Sequence, residues 1–211
     1  EEIVKCDIIT FHSPLIKEGK WPTRHLVNEA FIASLKPETI IINTARGAVA
    51  DNAALKSALR SNRIRAAVLD VWENEPNILQ TLVPYTEIAT PHIAGYSLEG
   101  KYRGTYMLYE AFCQHFGYEI TKQLQPMLPV ADINTLSLSA DVDECILKKI
   151  IHLVYDVRRD DAIFRHKITQ PGSFDEMRKK YPERREWSSL KIFVENNNDI
   201  FVQLGFCVSG N

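Results

Sequence analysis

Short apolar runs alternate with amphipathic stretches over the first 92 residues. The runs near 7–11, 39–43, 65–70 and 86–89 are rich in apolar and β-branched residues, which predicts four strands. Between them, helical spacing of apolar positions predicts helices near 28–35 and after Asp51, where Asp51 or Asn52 can cap the helix start. This alternation is typical of a parallel sheet with crossover helices.

The pattern changes after Pro91. A long helix is predicted from Ser97 to about Tyr118, ended by Gly117. Its aromatic residues fall largely on one stripe, which favours packing over a cofactor site; they are Tyr102, Tyr106, Tyr109 and Phe116.

The remaining residues predict a linker and a second unit. The stretch 124–138 contains two prolines and is predicted to be a linker, and Asp143 opens a further helix. After a segment crowded with both signs of charge, the chain is predicted to end as a strand at 190–194, a helix at 197–204 and a strand at 206–209. The sequence therefore predicts an α/β fold with a small second α/β unit.

Composition narrows the classes of partner. The 211 residues carry 25 Lys and Arg against 27 Asp and Glu, a net charge of -2, so we expect neither nucleic acid nor an anionic membrane as a general partner. No apolar run approaches the roughly 18 residues that span a bilayer. The four cysteines lie far apart without a C-x-x-C pair, which argues against a zinc site or a disulfide framework and favours a cytoplasmic protein.

Neither common phosphate-binding motif occurs in the chain. There is no G-x-G-x-x-G and no G-x-x-x-x-G-K-[ST], and the sequence opens at Glu1 a few residues before a predicted strand. We therefore expect this chain to be the downstream part of a longer protein, and to have little activity or nucleotide affinity alone.

Chemically capable groups follow each of the four predicted strands. These are His12 and Ser13, then Asn43 to Arg46, then Asp70 to Glu75, then Thr90 and His92. Ligands of open parallel sheets bind outside the carboxyl ends of the strands, so we expect these groups to share one edge.

An arginine, a carboxylate and a histidine at one edge suit redox chemistry on a hydroxy acid. Arg46 can hold a carboxylate through two parallel hydrogen bonds. His92 can accept the alcohol proton because imidazole titrates near neutral pH, and Glu75 can fix its tautomer. Each residue alone has an ordinary explanation, as a surface charge, a cap or a turn residue. Their joint position favours the catalytic interpretation.

The residues around these groups resemble the D-2-hydroxyacid dehydrogenase family. The resemblance rests on Ile42–Gly47, Leu69–Pro76 and Thr90–Ser97. It implies a fold made of the second half of a Rossmann-type NAD domain plus a small C-terminal dimerisation domain, with NAD as cofactor. The segments 92–101, 152–161 and 184–190 are most similar to a member that oxidises a phosphorylated hydroxy acid.

The resemblance also implies residue roles. Arg46, Glu75 and His92 would be catalytic, with Glu75 preferred over Glu73 because the family's catalytic glutamate directly precedes proline. Cofactor-binding residues would be Ser13, Arg46, Asp70 and Gly95, and Tyr96 would bind substrate; no metal is expected.

The domains implied are a partial NAD domain at 1–96, a return helix at 97–123 and a dimerisation domain at 124–211. A homodimer is expected because the charged segment 155–187 interleaves both signs with aromatic residues.

Two other functions remain open. One is a family member acting on glycerate or lactate, against which the C-terminal unit argues because those enzymes do not need it. The other is a dehydrogenase-like sensing or corepressor dimer without turnover. The proton-transfer set Arg46, Glu75 and His92 argues against this second alternative. The chain does not distinguish NAD from NADP.

Overall fold

The computed structural model describes residues 2–139, 141–194 and 199–209 and contains two parallel sheets. The predicted α/β fold is confirmed. The chain forms two compact units, one made of Glu1–Ala94 with Val157–Tyr181 and the other of Gly95–Asp156 with Pro182–Asn211. We call these the first unit and the second unit.

Four parallel strands in chain order form the sheet of the first unit. They are β1 (Ile8–Phe11), β2 (Ile40–Asn43), β3 (Ala66–Leu69) and β4 (Ile88–Ala89). Helices α1 (Glu29–Ser34) and α2 (Asn52–Arg60) connect the first three strands, and a 3₁₀ helix at Gln80–Tyr85 precedes β4. All four strands fall within the runs that the hydrophobic pattern predicts.

Side-chain caps start the two helices where the sequence predicts. The Asn28 side chain accepts a hydrogen bond from the backbone N–H of Phe31 at the start of α1. Asp51 accepts from the N–H groups of Ala53 and Ala54 at the start of α2. Because the first N–H groups of a helix lack partners within the helix, these caps stabilise both starts.

Part of the charged segment completes the first unit. Helices α3 (Leu98–Phe116) and α4 (Glu144–Val154) belong to the second unit, whereas α5 (Val157–Lys167) and α6 (Ser173–Lys179) belong to the first. Phe164 of α5 is fully buried, with its ring 5.5 Å from that of Trp72, and Phe174 of α6 is 3% exposed. These two aromatic residues therefore belong to the core of their own unit.

Charges on α5 satisfy backbone groups beside the last strand of the sheet. The Asp161 carboxylate accepts from the N–H of Ala89 in β4 at 2.7 Å. Arg165 pairs with Asp161 and donates to the carbonyl oxygens of Val83 and Thr86. The outer strand of a sheet has backbone N–H and C=O groups without a partner strand. Helix α5 supplies a partner for one of these groups in β4, the N–H of Ala89.

The second unit contains α3, α4 and a three-stranded parallel sheet. The sheet is formed by β5 (Thr135–Leu138), β6 (Lys191–Val194) and β7 (Cys207–Ser209), with α7 (Asp199–Leu204) between the last two strands. Its core includes Ile192 and Phe201, and the ring of Trp187 stacks on Phe206 at 5.5 Å.

The second unit departs from the sequence prediction in one strand. The stretch 124–138 was predicted to be a linker, but its last four residues form β5, because they pair with β6 some 50 residues later and local patterning does not reveal that partner. The predicted helix start at Asn197 lies outside the described residues. The domain boundaries 1–96, 97–123 and 124–211 stay a prediction, and 157–181 packs within the first unit.

Candidate active site

The four groups singled out by the sequence lie at one edge of the first sheet. Phe11 pairs in register with Asn43, Asn43 with Leu69, and Leu69 with Ala89, so the four parallel strands end level with one another. The segments that follow these strands therefore emerge together, as the sequence predicts for a ligand site.

Glu75 and His92 are in direct contact at this edge. The Nδ1 of His92 lies 2.7 Å from Oε2 of Glu75, and Oε1 of Glu75 accepts from the backbone N–H of Trp72 at 2.8 Å. An ionised carboxylate only accepts hydrogen bonds, so this contact requires the proton on Nδ1 and leaves Nε2 to exchange a proton with a ligand. The two side chains are 32% and 20% exposed, for His92 and Glu75 respectively.

Asp70 holds the segment that carries His92. Its Oδ1 accepts from the Thr90 hydroxyl at 2.6 Å and the Ile93 N–H at 2.8 Å, and its Oδ2 accepts from the Ala94 N–H at 3.0 Å. The His92 N–H donates to the Asp70 carbonyl oxygen at 2.7 Å, and His92 has a positive φ of 58°. The buried Asp70 thus fixes the backbone of His92 in a conformation that non-glycine residues seldom adopt.

Trp72 and Gly47 join neighbouring loops of the edge. The Trp72 indole N–H donates to the carbonyl oxygen of Thr90 at 2.9 Å. A Cβ on Gly47 would overlap the backbone carbonyl of Trp72, so glycine permits the loop after β2 to approach the loop that carries Glu75.

Arg46 and Ser13 lie at the same edge. Among the residues that the structure describes, neither side chain forms a hydrogen bond with Glu75 or His92. The exposed guanidinium of Arg46 donates to the carbonyl oxygen of Ala45 at 2.6 Å, and Asn43 donates to the carbonyl oxygen of Arg46 at 3.1 Å. The hydroxyl of Ser13 is buried and, among the described residues, has no hydrogen-bond partner.

Gly95 and Tyr96 belong to the second unit. They directly precede α3, where the Lys101 Nζ lies 5.2 Å from the centre of the Tyr96 ring. Their roles toward cofactor and substrate, like those of Ser13, Arg46, Asp70, Glu75 and His92, stay predictions.

The two glutamates of the 72–76 loop have different partners. Glu73 Oε1 lies 2.6 Å from Nε2 of His25, and its Oε2 accepts from the N–H of Asn52 at the start of α2. The Asn52 side chain in turn accepts from the Glu73 N–H at 3.1 Å. Glu73 therefore fastens the loop to α2, and Glu75 is the glutamate that meets His92.

Thr90 and Trp72 lie within the motifs that resemble the family, but the sequence alone assigns them no role. Both support the site: Thr90 through Asp70, and Trp72 through Glu75 and the Thr90 carbonyl. Their position within the motifs that carry His92 and Glu75 was the available signal, because hydroxyl and indole groups need hydrogen-bond partners when they are buried.

The described residues contain neither a cluster of metal ligands nor a helix fit to span a membrane. No group of three or more His, Cys, Asp and Glu side chains is placed to hold a metal ion within 2–139, 141–194 and 199–209. In the same ranges, no helix has the length and apolar character needed to cross a membrane.

Comparison with known proteins divides the chain into two family regions. Residues 1–94 match the NAD binding domain of D-isomer specific 2-hydroxyacid dehydrogenases, and residues 127–205 match a domain of unknown function. The resemblance stated from the sequence motifs is confirmed, and so is NAD as the cofactor of this domain family.

The chain is also similar to named proteins along its length. It is 64% identical to the erythronate-4-phosphate dehydrogenase of Tolumonas auensis over 211 residues, which is 100% of this chain and 57% of that protein. It is 50% identical to the enzyme of the same name from Aeromonas salmonicida, over 96% of this chain and 54% of that protein. The chain thus spans little more than half the length of these relatives.

A solved structure shows a more limited likeness. The apo D-mandelate dehydrogenase of Rhodotorula graminis is 39% identical, with a TM-score of 0.42, over 46% of this chain and 27% of that chain.

Proposed function

We propose that this chain, whose first 94 residues match the NAD-binding domain of D-2-hydroxyacid dehydrogenases, is the C-terminal part of an enzyme that oxidises 4-phospho-D-erythronate to its 2-oxo acid with NAD. The observation that carries the proposal is the Glu75–His92 pair at the carboxyl edge of a parallel sheet. Relatives named for this activity support the choice of substrate. We assign the reaction to pyridoxal 5'-phosphate (vitamin B6) biosynthesis, as the resemblance implies.

In this mechanism the Nε2 of His92 accepts the proton of the substrate 2-hydroxyl. Glu75, bound to Nδ1 at 2.7 Å, orients the imidazole and stabilises the imidazolium that forms. The exposed Arg46 binds the substrate carboxylate and polarises the carbonyl oxygen that develops at C2. Bound NAD supplies the hydride acceptor.

Two observations at the edge fit the cofactor. The buried Ser13 hydroxyl lacks a partner among the described residues, so it is available to a polar group of a ligand. The Asp70 carboxylate uses three of its roughly four acceptor positions within the protein, which leaves one for a donor such as a carboxamide. Ser13 and Asp70 would thus hold NAD, and we also propose a cofactor-binding role for Gly95, as the resemblance implies.

The proposal includes a homodimer formed through the C-terminal region. Leu153 of α4 and Val202 of α7, both in the second unit, are 43% and 58% exposed, which leaves apolar surface for a partner. Deleting the C-terminal region would not test the dimer alone, because the deletion would also remove Phe164 from the core of the first unit and destabilise that unit. Leu153→Asp with Val202→Asp should instead give monomers in sedimentation equilibrium, whereas Leu79→Asp in the first unit should not. A wild-type monomer at tens of micromolar would contradict the dimer.

We also propose a cytoplasmic enzyme. All four cysteines, Cys6, Cys113, Cys145 and Cys207, are free thiols, which suits a reducing compartment.

The function is tested on the complete protein by following NADH absorbance. We expect a higher kcat/KM with 4-phospho-D-erythronate than with glycerate or lactate. A preference for glycerate or lactate would favour an ordinary member of the family. Tight NAD binding without turnover of any hydroxy acid would favour the sensing dimer and contradict the proposal.

A further inference from the structure

A buried ion pair joins the first turn of α3 to residues 185 and 186, within the second unit. The Nε of Arg185 donates to Oε1 of Glu99 at 2.8 Å, and the N–H of Glu186 donates to Oε2 of Glu99 at 3.0 Å. The side chains of Glu99 and Arg185 are only 3% and 19% exposed. A carboxylate this deeply buried depends on its partners, since removing one would leave an uncompensated charge.

Two further hydrogen bonds strengthen the connection. The Ser97 hydroxyl donates to Oε1 of Glu186 at 2.6 Å while accepting from the Gly100 N–H at 2.9 Å as the helix cap. The N–H of Leu98 donates to the carbonyl oxygen of Arg184 at 2.8 Å. Residues 184–186 therefore bind three consecutive residues, 97–99, and we call this set of contacts the clamp.

The turn held by the clamp contacts the residues just before it. A Cβ on Gly100 would lie 2.8 Å from the carbonyl oxygen of Gly95, so the helix start packs closely on the Gly95 backbone. The Lys101 ammonium lies over the Tyr96 ring. Displacing the first turn of α3 would thus displace both Gly95 and Tyr96.

We propose that the clamp is a positioning device: residues 184–186, in the family region of unknown function, fix the start of α3 and thereby the placement of Tyr96 toward substrate. Glu99 is the central positioning residue, because it receives hydrogen bonds from both Arg185 and Glu186. This inference rests on the substrate-binding role proposed for Tyr96. It gives a segment of the C-terminal region a role in substrate binding in addition to the proposed dimer formation.

The test compares Glu99→Gln with Asp161→Asn in the complete protein. The Asp161–Arg165 pair, at 2.9 Å and with side chains 18% and 30% exposed, is a matched control because it lies in the same family region but in the first unit. We expect Glu99→Gln to raise KM for the phosphorylated hydroxy acid about tenfold and KM for NAD by a smaller factor, because Tyr96 and Gly95 both shift, with kcat within about twofold, because misplaced binding groups act on affinity. Asp161→Asn should lower Tm without changing KM.

A second readout separates the clamp from the proposed function. Hydrogen exchange at amides 97–101 should be faster in Glu99→Gln and unchanged in Asp161→Asn, whether or not substrate is known. Arg185→Lys keeps the charge with fewer donors, so it should give intermediate exchange and KM. A lower Tm with unchanged KM and exchange would overturn the clamp. A wild-type protein without turnover would overturn the proposed function, and the exchange result would still decide whether the clamp exists.

Discussion

Nδ1 of His92 and Oε2 of Glu75 lie 2.7 Å apart, across the loops that follow β3 and β4. Because Glu75 also accepts from the Trp72 N–H, its carboxylate is held in place independently of His92. The Nδ1 atom of the imidazole is therefore held by the protein, and Nε2 remains to exchange a proton with a ligand.

Replacing His92 by Asn should lower kcat of the complete enzyme by about 10²–10⁴-fold, the usual contribution of a general acid–base group. Stopped-flow measurement of NADH formation gives kcat, and calorimetry should find NAD affinity nearly unchanged. His166→Asn, on the exposed side of α5, is the matched control and should keep wild-type kcat. A wild-type rate for His92→Asn would rule out the proposed proton route.

Replacing Glu75 by Gln should lower kcat by about 10–10²-fold, less than His92→Asn, because the imidazole remains but its charged form loses the carboxylate. Glu73→Gln is the paired control. Glu73 bonds His25 and Asn52, so its loss should reduce Tm with kcat little changed. Equal rate losses in the two variants would contradict the separate roles of these glutamates.

Asp70→Asn should destabilise the protein by about 1–3 kcal/mol, since an amide cannot accept at both positions where Ile93 and Ala94 donate. Urea denaturation measures the change in the free energy of unfolding. Asp7→Asn breaks only the exposed pair with Lys36 and should change stability by less than about 0.5 kcal/mol. Similar losses of unfolding free energy in both variants would show that the hydrogen bonds of Asp70 stabilise the protein no more than an exposed ion pair does.

Gly47→Ala should lower both Tm and kcat, because the added methyl group would displace the Trp72 carbonyl and with it the loop that carries Glu75. Gly104→Ala, in the middle of α3 with open space around its Cβ position, should be neutral or stabilising by about 0.5–1 kcal/mol. Thermal unfolding and steady-state kinetics check both variants. Wild-type kcat in Gly47→Ala would mean that the two loops do not need to touch.

The Glu176–Lys180 pair predicts a local pH dependence. The hydrogen bond from Lys180, 2.7 Å long, holds the pKa of the Glu176 carboxyl below its ordinary value and raises the pKa of the Lys180 amine. Because the Glu176 pKa is lower in the folded state, the pair stabilises the folded protein at pH values above the unfolded-state pKa of this carboxyl. This stabilisation is lost as the pH falls through the lowered pKa. Because the Lys180 pKa is higher in the folded state, the pair also stabilises the folded protein at pH values below the unfolded-state pKa of this amine. This stabilisation is lost as the pH rises through the raised pKa.

Carbon-13 NMR titration tests this pair. Lys180→Met should move the Glu176 carboxyl titration to higher pH, and Lys179→Met, one residue away, should leave it in place. An unchanged titration in Lys180→Met would show that the hydrogen bond is absent in solution.

The sequence by itself determined the local features of this protein. Strands β1 to β4 and the helix starts at Asn28, Asp51 and Asp143 follow from periodicity and capping, which involve residues two to four positions apart. Gly117 ends α3 with a φ of 70°, as a glycine at that position predicts. The shared edge of the site was also predictable, because parallel strands present their carboxyl ends together.

Only the tertiary structure decided features whose partners lie far apart in the chain. Strand β5 exists because β6 pairs with it, and the charged helix α5 is held by Trp72 and the backbone of β4, more than 70 residues earlier. The clamp on α3 likewise depends on Glu99 meeting Arg185. Periodicity cannot reveal such contacts, because hydrogen bonds and packing between distant segments leave no repeating pattern in either segment alone.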